Sequence, residues 1–353
     1  MNDNALVIGA SGIVGSATAR CLVDQGWQVA GLARKPVQQD GVTPVVADLL
    51  DTDSLNAALA DIAPTHVYIT TWSRQASEAE NIRVNAAMVR NVLSVLSAKC
   101  SVRHVALVTG LKHYLGPFEA YGKGILPKTP FREEQGRLDV ENFYYAQEDE
   151  VFAAAKRDGF TWSVHRPHTI TGVAVGNAMN MATTLAVYAS ICKATGRPFR
   201  FPGSRVQWDS LTDMSDAHIV ARQQLWASTT PAAANQAFNV TNGDVFRWSW
   251  MWEQIAGWFE IEPAPFPESE DPLAEQMAND AQAWQKLVEQ HNLAEPDIDK
   301  LISPWHTDAD LGRPIEVVTD MSKSRLMGFT DYKASDRAFF DVFAELRQRR
   351  LIP

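Results

Sequence analysis

None of the seven tyrosines of this chain, Tyr68, Tyr114, Tyr121, Tyr144, Tyr145, Tyr188 and Tyr332, is followed four residues later by a lysine. That spacing would put both on one helical face, where the ammonium lowers the phenol's pKa and the phenol acts as an acid toward a carbonyl oxygen. Its absence leaves two readings: the chemistry is missing, or it is rebuilt from distant positions. The strand candidate His104–Gly110 runs on into Leu111-Lys112-His113-Tyr114, which sets Lys112 just beyond the carboxyl edge of a sheet. Ligands of open parallel sheets bind at that edge. A helix opening Glu141-Asn142-Phe143-Tyr144-Tyr145 can bring a phenol to the same place. His113, His165 and His168 share no carboxylate or cysteine at metal-ligand spacing and are expected to be structural.

A second chemistry-bearing stretch is Ala5-Leu6-Val7-Ile8-Gly9-Ala10-Ser11-Gly12-Ile13-Val14-Gly15, an apolar strand, a glycine turn and a helix start. Gly9 suits a tight turn, Gly12 lets backbone approach a pyrophosphate, and Gly15 lets the helix pack against the strand. Free N–H groups and partial positive charge at the helix start favour phosphates. This opens a full strand–helix–strand pattern, so a dinucleotide is expected here. An NAD site normally has an acid at the end of the second strand, whereas this chain has Ala33-Arg34-Lys35. Two cations suit a 2′-phosphate, hence NADPH, with Arg34 able to fork onto it and Lys35 adding a point charge. Asp48, ending the third strand, could accept from the adenine amino group or cap the helix that follows.

The elements that must position these residues are legible as alternation. From Ala5 to Arg166, β-branched runs at Ala5–Gly9, Gln28–Ala33, Pro44–Asp48, His66–Thr71, His104–Gly110 and Thr161–Arg166 alternate with helix candidates such as Asp51–Ile62, Ser77–Ala98 and Glu141–Arg157. This predicts an α/β fold, a doubly wound Rossmann-type parallel sheet, over residues 1–166. Residues 167–353 read as a smaller α+β region that caps it and holds substrate, with a helix at Met181–Thr195, short strands at Phe199–Pro202 and Gln236–Val240, and helices at Pro272–His291 and Ala334–Arg349. Some of these segments are expected to return to the first sheet.

Bulk composition narrows the partner. With 353 residues, 46% of them hydrophobic, the chain can bury a large core. Its 32 basic against 42 acidic residues, net −10, disfavour a nucleic acid and leave a small molecule. The apolar run Ala182–Cys192 is too short to span a bilayer and the first residues lack a basic leader, so a cytoplasmic protein is expected. Three scattered cysteines, Cys21, Cys100 and Cys192, support neither disulfides nor zinc. A homodimer is compatible with all of this.

Four stretches resemble the motifs of the progesterone 5β-reductase/iridoid synthase family of extended short-chain dehydrogenases: Gly110-Leu-Lys-His-Tyr-Leu-Gly-Pro-Phe-Glu119, Asn142-Phe-Tyr-Tyr-Ala-Gln-Glu-Asp149, Thr161-Trp-Ser-Val-His-Arg-Pro167 and Asn239-Val-Thr-Asn-Gly-Asp-Val-Phe246. Thr70-Thr-Trp72, Asp213-Met-Ser-Asp216 and Lys323 to Phe329 extend the likeness over nearly the whole chain. The resemblance implies NADPH-dependent reduction of the carbon–carbon double bond of enones or enals, with Lys112 and Tyr144 as the reactive pair. It implies a cofactor site of Gly9, Ser11, Gly12, Ile13, Val14, Gly15, Arg34, Lys35, Asp48, Leu49, Thr71, Trp72, Thr109, Pro167 and Ile170, besides the pair itself. Phe118 resembles a family residue beside the substrate, although a core aromatic fits as well. Tyr145, Met179, Met214, Trp305 and Phe329 are pocket candidates by neighbourhood. The chain departs from the family at Val108, at Gly136-Arg137-Leu138 and at His168-Thr-Ile-Thr-Gly172, which leaves the substrate open between steroid, monoterpenoid and smaller enone. A carbonyl reductase or sugar-nucleotide epimerase on the same fold, or a non-catalytic NADP sensor, are the competing readings.

Overall fold

The computed structural model describes residues 3–117, 128–177, 179–269 and 271–353, so the expectation for Phe118 lies outside the described residues. β1 (Asn4–Ile8) turns into α1 (Ile13–Asp24), followed by β2 (Gln28–Ala33) and β3 (Val42–Val46). Then come α2 (Thr52–Ala58), β4 (His66–Ile69), α3 (Glu78–Ser97), β5 (His104–Val108), the short α4 (Lys112–Leu115), α5 (Phe143–Asp158) and β6 (Thr161–Pro167). The remainder comprises β7 (Ile170–Thr171), α6 (Met181–Thr195), α7 (Arg205–Asp209), β8 (Ser215–Asp216), α8 (Ala217–Thr229) and β9 (Gln236–Val240). Helices α9 (Trp248–Phe259), α10 (Leu273–Gln276), α11 (Ala281–His291), α12 (Pro304–Leu311), α13 (Ser322–Leu326) and α14 (Ser335–Gln348) complete the chain.

Seven strands form one parallel sheet in the order β3-β2-β1-β4-β5-β6-β9. The chain builds outward from β1 to β3 and then crosses to β4 on the other side. That reversal opens a crevice at the carboxyl ends of β1 and β4, where doubly wound sheets bind their ligands. Along β1 the side chains alternate: Leu6 and Ile8 join the core that includes α3 and α5, whereas Ala5 and Val7 join a smaller core with α1 residues Ala19 and Leu22. Compact packing divides the chain into a first unit, Met1–His168, Ala217–Thr241 and Thr319–Asp331, and a second, Thr169–Asp216, Asn242–Val318 and Tyr332–Pro353. Within the second unit Trp252 stacks on Phe199 at 4.0 Å and donates its indole N–H to the Phe199 carbonyl.

Gln236–Val240 is the strand expected, and it is the segment that returns to the first sheet, pairing with β6 as its seventh member. Two expectations need correction. Phe199–Pro202 forms no strand: Phe199 makes only an isolated bridge to Pro263, and Pro198, Pro202 and Pro263 have no backbone N–H to extend a ladder. Pro272–His291 is two helices, α10 and α11, separated where the Asp280 carboxylate turns to a two-pronged pair with Arg197.

Candidate active site

The glycine turn meets the geometric demands of its sequence. Gly9 has φ +86°, and a Cβ there would lie 2.8 Å from the Thr71 Cβ. A Cβ on Gly15 would stand 2.1 Å from the Gly9 carbonyl oxygen, closer than atoms can approach. Gly12 differs, since a Cβ there would meet only the Gly9 oxygen, at 3.3 Å. Its outer side is thus open. No side chain caps α1, and Ser16 N–H bonds to the Gly12 carbonyl, so the N–H groups of Ile13, Val14 and Gly15 precede the helical ladder. Ser11 braces the loop after β2, donating its hydroxyl to Lys35 O and accepting from Val37 N–H. Arg34 and Lys35 are exposed, and among the described residues neither enters an ion pair.

Asp48 accepts from Leu50 N–H at 2.9 Å, whereas the cap of α2 is Asp51, which accepts from Asp53 and Ser54 N–H. The helix-cap reading of Asp48 therefore falls away. An open glycine turn, an uncapped helix start and two cations at the end of β2 fit the phosphates of a dinucleotide. Leu49 is buried, and Thr71 and Trp72 follow β4 at the edge of the same crevice.

Lys112 opens α4, four residues past the end of β5, and is only 7% exposed. Its ammonium lies 5.0 Å from the Trp72 ring centroid and 4.9 Å from that of Phe143, and those two rings stack at 5.0 Å. Both rings offer the ammonium a cation–π contact. Tyr144 sits in the first turn of α5. Its hydroxyl lies against Gly110, where an added Cβ would come within 3.3 Å of the oxygen. Burial, reinforced by the Glu78 carboxylate, pushes this phenol above its ordinary range. No hydrogen bond from the Tyr144 hydroxyl to protein is found among the described residues.

Two side chains that had no role in the sequence reading hold this corner together. Asn142 caps α5: its side-chain oxygen accepts from Tyr144 N–H at 3.0 Å, while its amide donates to the Lys112 carbonyl at 2.7 Å. Glu78, at the start of α3, accepts from Phe143 N–H at 2.7 Å and from the Asn81 amide at 3.0 Å. An Asn directly before a helix start is the signal that could have found the first. Glu78 gave no signal, because its partner is 65 residues away. A polar cavity of about 40 Å³ lies beside Lys112, lined also by Trp72, Gln75, Ser77, Glu78 and Asn81.

The other sequence-named residues divide by position. The Tyr145 hydroxyl donates to His113 O at 2.6 Å and accepts from Leu138 N–H at 3.0 Å, so its polar end is taken up within the fold. Thr109 N–H bonds across to His165 O, and Pro167 ends β6. Phe329 packs on Trp226 inside the first unit. Ile170, Met179, Met214 and Trp305 lie in the second unit, Met214 within its core and Trp305 exposed.

Behind Lys112 and Tyr144 the family-like motifs converge on one buried network. Glu148 is contacted by Arg137 at 2.9 Å and Arg166 at 3.5 Å, Arg166 reaches the Tyr114 hydroxyl, and Tyr114 donates to Asn239 at 2.7 Å. Burial holds His113, in the same network, down to about 3. His165 bonds Ser163 and Gln223, and no group of metal-binding side chains occurs among the described residues. A separate cleft of about 980 Å³ lies in the second unit and contains none of the candidate residues. Its cations Lys193, Arg197 and Arg200 are each paired with a carboxylate.

A seven-stranded, doubly wound sheet with a glycine turn at its switch point defines a Rossmann-type nucleotide-binding protein. Solved structures agree on the fold: a UDP-glucose 4-epimerase of Thermotoga maritima superposes with a TM-score of 0.66 at 13% identity, covering 98% of this chain and 99% of that one. An epimerase of Methanothermobacter thermautotrophicus reaches 0.69 at 14% identity, covering 98% and 93%. Sequence is more specific. Residues 44–353 match the model of the PRISE-like Rossmann-fold domain, and the chain belongs to that family. It is 36% identical to an (S)-8-oxocitronellyl enol synthase of Nepeta cataria and 38% identical to a 3-oxo-Delta(4,5)-steroid 5-beta-reductase of Arabidopsis thaliana, each over 99% of this chain and 93% of the relative. Among the described residues no helix is long and apolar enough to cross a membrane.

Proposed function

We propose that this protein is an oxidoreductase that reduces the activated carbon–carbon double bond of an enone or enal, using NADPH and 1,4-addition of hydride. The observation that carries the reading is the buried Tyr144 phenol lying against Gly110, just past the carboxyl end of β5 and two residues before Lys112. The names of the relatives, an enol synthase and a Δ4,5-steroid reductase, agree with it. A reduced nicotinamide, when bound, supplies hydride for the β-carbon.

The chain's own part is to receive the charge that this addition moves onto the carbonyl oxygen. The Tyr144 phenol, held above its ordinary pKa by burial, stays protonated at neutral pH and is a hydrogen-bond donor to that oxygen. Lys112 adds positive charge behind it, fixed against Trp72 and Phe143. Low exposure of both groups keeps water away and strengthens each interaction with the developing anion. Water protonates the α-carbon once the hydride has been delivered. Arg34 and Lys35 favour NADPH over NADH through its 2′-phosphate.

The test is purified protein with NADPH and a broad panel of enones and enals, with product analysis. A saturated carbonyl product supports 1,4-reduction. An allylic alcohol would make the protein a carbonyl reductase, and no turnover anywhere on the panel would count against catalysis itself.

A further inference from the structure

We infer that Asn142 is a positioning residue that sets Lys112 and Tyr144 in fixed relation, because its one side-chain amide is bonded to the backbone of both. The inference rests on the reading of these two as the reactive pair. Lys112 and Tyr144 stand on separate elements, α4 and α5, so no helical repeat fixes their spacing. The 3%-exposed Asn142 carboxamide fixes it instead, with the amide N–H donating to Lys112 O at 2.7 Å and the oxygen accepting from Tyr144 N–H at 3.0 Å.

Capping alone would not require this residue. Asp, Ser and Thr cap helices about as well as Asn, but none carries a donor and an acceptor on one rigid plane. The donor half is the part that reaches across 30 residues to the lysine's turn. Glu78 buttresses the same helix start by accepting from Phe143 N–H, so successive N–H groups of α5 are each held by a buried or half-buried side chain. With α5 pinned, the phenol cannot slide along the helix axis away from Gly110.

Asn142→Asp and Asn142→Ser keep the cap acceptor and lose the amide N–H that reaches the Lys112 carbonyl, since a carboxylate only accepts and the serine hydroxyl, one bond shorter, cannot span to that carbonyl while capping. They should melt close to the unsubstituted protein, yet lose about 100-fold in kcat, the scale of a 1 Å misplacement at a reacting centre, with little change in KM for NADPH. A readout independent of turnover is the rate at which Lys112 is acetylated by acetic anhydride, followed by peptide mass spectrometry. Loss of the tether should raise that rate about fivefold or more, since a group freed from packing labels in proportion to its open population. Normal kcat and normal labelling in both variants would reduce Asn142 to a helix cap and overturn the inference, as would a kcat loss with labelling unchanged. If the unsubstituted enzyme reduces no enone, the functional reading fails while the labelling comparison still decides the tether.

Discussion

A phenol that is to donate to a carbonyl oxygen must keep its proton until the charge arrives, and the surroundings of Tyr144 meet that demand of the proposed mechanism. Its burial raises the cost of the phenolate, and the nearby Glu78 carboxylate works in the same direction. Replacing Tyr144 by Phe leaves the ring and its packing on Phe143 and removes the donor. Loss of one such donor costs about 10²–10³ in kcat, whereas the glycine turn that holds the phosphates is untouched. Tyr144→Phe should therefore show that rate loss with an unchanged Kd for NADPH, measured by quenching of protein fluorescence. Full activity in this variant would remove Tyr144 from the mechanism. Arg34 poses the complementary case, an exposed cation that under the proposed reading acts only through the cofactor's 2′-phosphate. One charge-assisted bond is worth about 1.5–3 kcal/mol, so Arg34→Glu should lower kcat/KM for NADPH about 10-fold or more and leave NADH nearly unaffected. Equal losses with both cofactors would mean that Arg34 reads something other than that phosphate.

At the scale of elements the glycine turn separates folding from binding. A methyl on Gly15 collides with the backbone oxygen of Gly9, and neither α1 nor β1 can yield without unpacking their shared core. On Gly12 the same methyl meets a single atom, the Gly9 oxygen at 3.3 Å, which has only to give by a few tenths of an ångström. Gly15→Ala should thus lower the melting temperature by several degrees, since a backbone collision in a packed core costs about 1–3 kcal/mol. Gly12→Ala should melt nearly as before while weakening NADPH binding. Thermal melts with and without NADPH distinguish the two, and similar destabilisation by both would refute the assignment. The turn was readable in sequence because strand, glycines and helix start are contiguous. So were the helices that begin at Glu78 and Met181, from their apolar periodicity. Legibility stopped where partners are distant. The strand Gln236–Val240 was visible, but nothing local says that it joins β6 after a 68-residue excursion from Pro167 to Asn235. Tyr145 and Tyr144 look alike in sequence, yet one helical step turns the first toward His113 O and Leu138 N–H and the second toward Gly110. Lys112 and Tyr144 were found by motif likeness, whereas Asn142 and Glu78, which hold them, show themselves only through bonds in three dimensions.

At the scale of the molecule, the buried histidines of the first unit tie its stability to pH. His104 bonds Thr161 and Ser163 through its two ring nitrogens, Ser163 bonds His165, and His165 bonds Gln223, a polar chain across strands β5 and β6 to α8. Desolvation by burial lowers His66 and His165 to about 4 and His104 and His113 to about 3, against an ordinary value of 6.5. Neighbours modify this: Asp3 opposes the shift at His66, while Arg103 there, His66 and His165 at His104, and Arg166 and Arg137 at His113 deepen it. Because the folded values lie below the unfolded one, the unfolded chain binds more protons between about pH 6.5 and 4. Stability is fully present above pH 6.5 and falls as the pH drops through that window, by about 1.4 kcal/mol per pH unit for each site in which only the unfolded chain is protonated. Glu133 and Asp308, both raised by burial, act the other way, two groups against the four histidines. Urea unfolding at pH 7.5, 6.0 and 5.0 should show a midpoint that is steady above 6.5 and declines below it, with a slope corresponding to more than one proton. A midpoint that stayed constant down to pH 5 would show that these rings are accessible and charged in the folded protein, contrary to their burial.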